Sequence, residues 1–123
     1  MGVQFVFIDW EKMPRTRSPR AKDSRRIASG QNMSFVRIEI EPTAEFTGET
    51  HWHMHEQWVV VLAGDVRMTV ADEEVQLTTG DVLYIPIDAP HAPLAVGPAG
   101  ATYLEIFAPP RMDLLPESIV PAV

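Results

Sequence analysis

The stretch "GETHWHMHEQWVVVLAG", residues 48–64, sets His51, His53 and His55 just ahead of an apolar run, and these are three of the four histidines in a chain of 123 residues. On an extended chain alternate residues share a face, so all three imidazoles fall on one side if "THWHMH" stays extended. Their Cα atoms then span ~13 Å, while a metal-bound imidazole nitrogen lies ~2 Å from its ion, so a neighbouring pair shares an ion more easily than all three do. Gln57, four residues after His53, offers a carbonyl oxygen to the same place if a loop falls between. The fourth histidine, His91, follows "GDVLYIPIDAP", where a strand meets a proline-rich turn, and a barrel brings it back to the same interior.

The flanking sequence reads as strand after strand. "SFVRIEIE" (34–41) places Val36, Ile38 and Ile40 on one face and Arg37, Glu39 and Glu41 on the other, the two-residue period of a half-buried strand. "QWVVVLA" (57–63), "VRMTVA" (66–71), "EVQLT" (74–78), "VLYIPI" (82–87), "PLAV" (93–96) and "TYLEIFA" (102–108) follow, rich in β-branched and aromatic residues. Turn chemistry separates them at Gly64-Asp65, Asp72-Glu73, Gly80-Asp81, Asp88-Ala89-Pro90 and Gly97-Pro98-Ala99-Gly100. Short strands at that spacing predict an all-β antiparallel barrel or sandwich. The expected organisation is one domain: an N-terminal strand, "VQFVFID", and basic arm over 1–30, a barrel over 31–108, and a proline-punctuated tail over 109–123 lying on the barrel surface.

Composition removes several classes of function. A chain of this length with 46% apolar residues builds a single core. With no cysteine there is no thiolate nucleophile, no cysteine-held zinc or iron–sulfur cluster and no disulfide framework. Chemistry must come from His, carboxylates, amides, Tyr or a metal. The N-terminus has no basic leader or small-residue cleavage site, and no stretch approaches the ~18 apolar residues that span a bilayer, so no membrane partner and a cytoplasmic location are expected. The net charge is −7, with seven basic and three acidic residues in 1–30, which gives +4 there and −11 in the remainder. An acidic body repels phosphates and "PRTRSPRAKDSRR" has no reading element, so no nucleic-acid partner is expected. The charge split and the apolar "VQFVFID" edge predict a homodimer.

"GETHWHMHEQWVVVLAG" and "GDVLYIPIDAPHAPLA" (80–95) together resemble the two signature motifs of the cupin superfamily, with a short segment between them. The resemblance covers residues 33–108 and implies a jelly-roll β-barrel. It places His51 and His53 on the histidine pair of the first motif, Gln57 where the family usually has Glu, and Gly64 on the closing glycine. Gly80, Pro86 and His91 fit the second motif, whereas Asp88 replaces its Gly and Ala95 its Asn.

The resemblance implies one divalent transition metal, among Zn, Fe, Ni, Mn and Cu, held by His51, His53, Gln57 and His91. Three neutral imidazoles and an amide leave such a site at +2, a stronger Lewis acid toward an anionic substrate than the +1 site a Glu would make. His55 is expected beside the ligands, orienting Gln57 or touching substrate, with a replacement ligand pair His53 and His55 as the other reading. His55, Glu56 and Tyr84 are the candidate catalytic bases; Tyr103 qualifies if it points inward. Met33, Phe35, Met68 and Phe107 are expected in the core or pocket wall. "HEQ" with the closing "FAPPRMDLL" (107–115) resembles small cupins of the pectin-degradation type. That likeness implies conversion of unsaturated monouronates to open-chain keto forms, and a place for Arg111 in the pattern. Three functions remain open: a lyase or isomerase acting on a small anionic or sugar-derived carbonyl substrate, a metal-dependent dioxygenase of an enol or polyketide-like substrate, and a non-catalytic small-molecule binding protein.

Overall fold

The computed structural model describes residues 5–18, 23–111 and 113. Among the described residues seven strands follow one another: β1 (Thr16–Ser18), β2 (Asp23–Ser29), β3 (Ser34–Ile40), β4 (Glu56–Val70), β5 (Glu73–Thr78), β6 (Val82–Ile85) and β7 (His91–Ala108). All pairings are antiparallel, in the order β1-β2-β3-β7-β4-β5, with β6 on the free side of the first half of β4. Among the described residues no helix is long and apolar enough to cross a membrane.

The alternation in "SFVRIEI" is met residue by residue, since Val36, Ile38 and Ile40 are buried and the residues between them half-buried. Register then propagates the inward face across the sheet. Phe107 stands beside Ser34 on β3 and Gln57 on β4; Glu105 beside Val36 and Val59; Tyr103 beside Ile38 and Val61. These rows, with Ile27, Val66, Met68, Leu77 and Ile85, make the core.

Two expected turns are absent, for one physical reason. Gly64-Asp65 and Gly97–Gly100 are bends inside the long strands β4 and β7, which stay paired there through register shifts. Gly64 and Gly100 both have φ 73°, and a Cβ on Gly64 would run into the Gly100 carbonyl oxygen. The glycines thus allow two paired backbones to approach closely instead of ending the strands. The β4–β5 turn falls on Ala71 and Asp72 (φ 49° and 68°), one residue before the expected joint, in the left-handed conformation that a two-residue hairpin requires.

The N-terminal third differs more. "VQFVFID" does not form a strand over its described residues: Phe5 to Asp9 lead into a short 3-10 turn, Trp10–Lys12, and Phe5 and Phe7 are 87% and 83% exposed. The basic segment is not a loose arm, because Thr16–Ser18 and Asp23–Ser29 extend the sheet beyond β3. One of its charges is held locally, where buried Arg26 donates to the Trp10 carbonyl and the Glu11 carboxylate. Met33 is exposed, whereas Met68 and Phe107 are core residues. Most of the tail, 112 and 114–123, lies outside the described residues.

Candidate functional site

The barrel encloses an open cavity of about 610 Å³, lined by residues from β2, β3, β4 and β7 and by the loop 45–51. His51, His53 and His91 stand together on its wall. The His51 and His91 backbones pair with each other, N–H to carbonyl at 3.1 and 3.0 Å, which fixes their side chains as neighbours. Ring centroids are 4.6 Å apart for His51 and His91, 5.0 Å for His53 and His91, and 6.3 Å for His51 and His53.

The turn that delivers His91 is fastened to the first motif, since the Asp88 N–H donates to the His53 carbonyl at 2.9 Å. Asp88 has φ 63°. The second motif needs a left-handed residue here, which glycine supplies elsewhere and Asp tolerates because its short polar side chain bonds locally. The Asp for Gly replacement therefore preserves the turn.

Electrostatics keep the imidazoles neutral. His53 is pushed down to about 4, by burial first and then by the Arg111 guanidinium and the neighbouring His91 and His55. His51 and His91 are also lowered, mainly by burial. Neutral imidazole is the form that ligates a metal. The His91 Nδ1 faces the Ala89 carbonyl at 2.9 Å, an arrangement that assigns the proton to Nδ1 and leaves Nε2 as the donor atom. Both nitrogens of His53 and the Oε1 of Gln57 are buried without a partner.

These orphaned atoms and the all-neutral donor set fit a divalent transition metal chemically. Among the described residues, however, no three His, Cys, Asp or Glu groups are already gathered as a metal cluster. The rings are neighbours that must turn about their side-chain torsions to converge.

The remaining candidates divide. Gln57 is fully buried behind the cavity wall, with its Nε2 donating to Glu105 Oε2. His55 does not line the cavity; it packs against Phe107 and its Nε2 lies 3.3 Å from the Pro110 carbonyl. Glu56 is also absent from the lining, because the alternation that turns Gln57 inward turns Glu56 away. Tyr84 does not reach the cavity, contrary to the expectation: it is 42% exposed and its ring lies tilted by 51° against that of Trp58, centroids 4.8 Å apart. Tyr103 is the inward tyrosine, and burial raises its hydroxyl far above the usual range.

Sequence reasoning missed Glu105, Asp23 and Arg25, all on the cavity wall. Burial raises the Glu105 carboxyl, against the pull of Arg25, Arg111 and the Gln57 hydrogen bond. The strand itself gives no signal for Glu105: pairing with Val36 and Val59 puts the row Tyr103, Glu105, Phe107 inward. Arg111, named from the tail pattern, also lines the cavity; its guanidinium lies 4.8 Å from the centre of the Phe107 ring and is held by Asp113.

The family model for the cupin domain, Cupin_2, matches residues 36–107, which contain the three cavity histidines and Glu105. The chain belongs to the cupin family. Among solved structures this cupin resembles an RmlC-like cupin from Shewanella frigidimarina NCIMB 400, with a TM-score of 0.76 and 24% identity over 91% of this chain and 97% of the other. It also resembles KdgF from a Halomonas species, with a TM-score of 0.79 and 21% identity over 91% and 100%. Both likenesses establish the jelly-roll barrel. Among curated proteins, Bacillus subtilis oxalate decarboxylase OxdC is 30% identical over 112 residues, 86% of this cupin but 28% of the longer enzyme. That enzyme carries Mn(II) centres.

Proposed function

We propose that this cupin is a metal-dependent lyase or isomerase acting on a small anionic carbonyl compound or sugar acid, with His51, His53, His91 and Gln57 Oε1 as metal donors and Glu105 as the proton-moving group. The observation that carries the reading is the meeting of three neutral imidazoles, one with both nitrogens unpartnered, with a buried carboxyl and two arginines in one cavity. A divalent ion held there supplies Lewis-acid polarisation of a substrate oxygen. Glu105 faces the cavity from the row beside Phe107, in position to take a proton from a substrate carbon or hydroxyl on one Oε and return it elsewhere. Gln57 holds the other oxygen, Oε2, through its Nε2 and so orients the carboxyl. Phe107 and Met68 give the wall apolar surface, and a less polar surrounding strengthens each polar contact made against it.

The relatives agree with that direction. Oxalate decarboxylase acts on a small carboxylate, and the sequence resembles the pectin-degradation cupins in "HEQ" and "FAPPRMDLL". The test is a metal analysis of the purified chain, followed by assays of metal-loaded protein on an unsaturated monouronate and on oxalate. Loss of the monouronate's ultraviolet absorbance without oxygen uptake is expected. His53→Ala should lose the metal and the turnover while keeping a wild-type circular-dichroism spectrum, because the apolar rows of the sheet make the core. Oxygen consumption coupled to turnover would move the protein to the dioxygenases, and absence of bound metal would leave a binding protein.

A further inference from the structure

Asp23 and Arg25 belong to neither motif, yet both line the cavity. They lie two apart on β2, so the strand turns both side chains inward. Arg25 stands beside Ile38, which stands beside Tyr103; Asp23 is one row further, beside Ile40. From Ser34, in the row of Phe107 and Gln57, to Ile38 is four residues along β3, ~13 Å. Arg25 is thus two rows and Asp23 three rows from Phe107, the ring packed on His53.

The pair is only half used. Arg25 Nη2 meets Asp23 Oδ2 at 3.3 Å, whereas Arg25 Nε and Asp23 Oδ1 are buried with no partner. Asp23 is 6% exposed and Arg25 41%, and both line the cavity. An ion pair retained for stability alone closes these contacts, since an unsatisfied buried charge costs free energy. Of the two cavity arginines, Arg111 already makes two contacts to Asp113, at 2.9 and 2.7 Å. Arg25 keeps a donor free.

The geometry points to Asp23 and Arg25 as a recognition subsite for a small hydroxylated carboxylic acid, in which Arg25 takes the carboxylate and Asp23 Oδ1 accepts a hydrogen bond from a neighbouring hydroxyl. The inference rests on the proposed function only in taking the cavity as the substrate site.

The test is calorimetric titration of the full chain, stripped of metal by chelator, with D-galacturonate and its neutral methyl ester. Wild type should bind the acid roughly tenfold or more tighter than the ester, the scale of one charge-assisted contact. Arg25→Ala should erase that preference and leave ester binding unchanged. Arg25→Lys should retain part of it, because the charge stays and the planar fork is lost. Asp23→Asn should weaken both probes alike, since both carry the hydroxyls. The inference is overturned if metal-free wild type does not bind galacturonate, if it binds acid and ester equally, if both Arg25 variants keep the preference, or if Arg111→Ala erases it instead. Should Arg25→Ala fail to fold, the wild-type comparison and Arg25→Lys decide. Metal content and turnover of the same preparations judge the enzyme reading separately: acid preference without metal or turnover sinks that reading and leaves the subsite standing.

Discussion

Gln57→Glu changes one atom's identity at the most buried polar position of the site. In the wild type the Gln57 Nε2 donates to Glu105 Oε2, and the side chain has no exposed surface. The variant sets two carboxyls face to face. Two charges ~4 Å apart at an effective dielectric of ~20 repel by ~4 kcal/mol, so one of the two keeps a proton and its folded-state pKa rises. A carboxyl whose folded pKa lies above its unfolded value binds more protons folded than unfolded, so its penalty is small near pH 4 to 5 and grows as pH rises. The metal-free variant should lose up to about 4 kcal/mol at pH 7.5, roughly 10 to 20 °C in melting temperature for a domain of this size, and much less at pH 5. Divalent metal should restore most of that loss, because the added negative charge lowers the site from +2 to +1. Thermal denaturation of both proteins, with chelator and with metal, at the two pH values is the assay. An equal stability loss at both pH values would refute the contact between residues 57 and 105, and failure of metal to rescue the variant would refute Gln57 as a donor.

Other outcomes follow from single contacts. Glu105→Gln should lower turnover by about 100-fold or more, the scale of a lost proton-transfer group, whereas Tyr84→Phe should leave steady-state rates unchanged. Asp88→Val should destabilise by ~1–2 kcal/mol in urea denaturation, because a β-branched side chain resists the left-handed backbone at φ 63°, while Asp88→Gly should cost nothing. In the metal-free protein the His53 ring signals should titrate near pH 4 by NMR. The unfolded chain takes up that proton below its ordinary value of 6.5 and the folded chain does not until about 4. Stability should therefore fall as pH falls through that window, and by less in His53→Gln.

The alternation of "SFVRIEI" and the two histidine motifs were legible because each is a short-range pattern whose period or spacing has one structural solution. β7 was not: Leu104 and Ile106 on one face are as apolar as Tyr103 and Phe107 on the other, so no pattern within "TYLEIFA" identifies the inward side. Register against Val36 and Val59 decides it, and with it the place of Glu105, while pairing with exposed Trp58 on β4 sets the outward turn of Tyr84. Gly64 and Gly100 misled for a related reason, since a glycine that ends a strand and one that lets two paired strands approach closely look alike along one chain. The basic segment misled because its run of charges reads as an arm outside the barrel, whereas pairing with β3 makes it a strand, carries Arg25 to the cavity and buries Arg26 against the Trp10 carbonyl and Glu11.

The central claim is that three histidines and one glutamine, drawn from two distant stretches of sequence, converge on a single ion. Anomalous diffraction from crystals of the metal-loaded protein tests it most directly. The account predicts one peak per chain, ~2.0–2.2 Å from a ring nitrogen of each of His51, His53 and His91 and from Gln57 Oε1. A peak that excludes His53, or crystals with no ion among these residues at saturating metal, would contradict it.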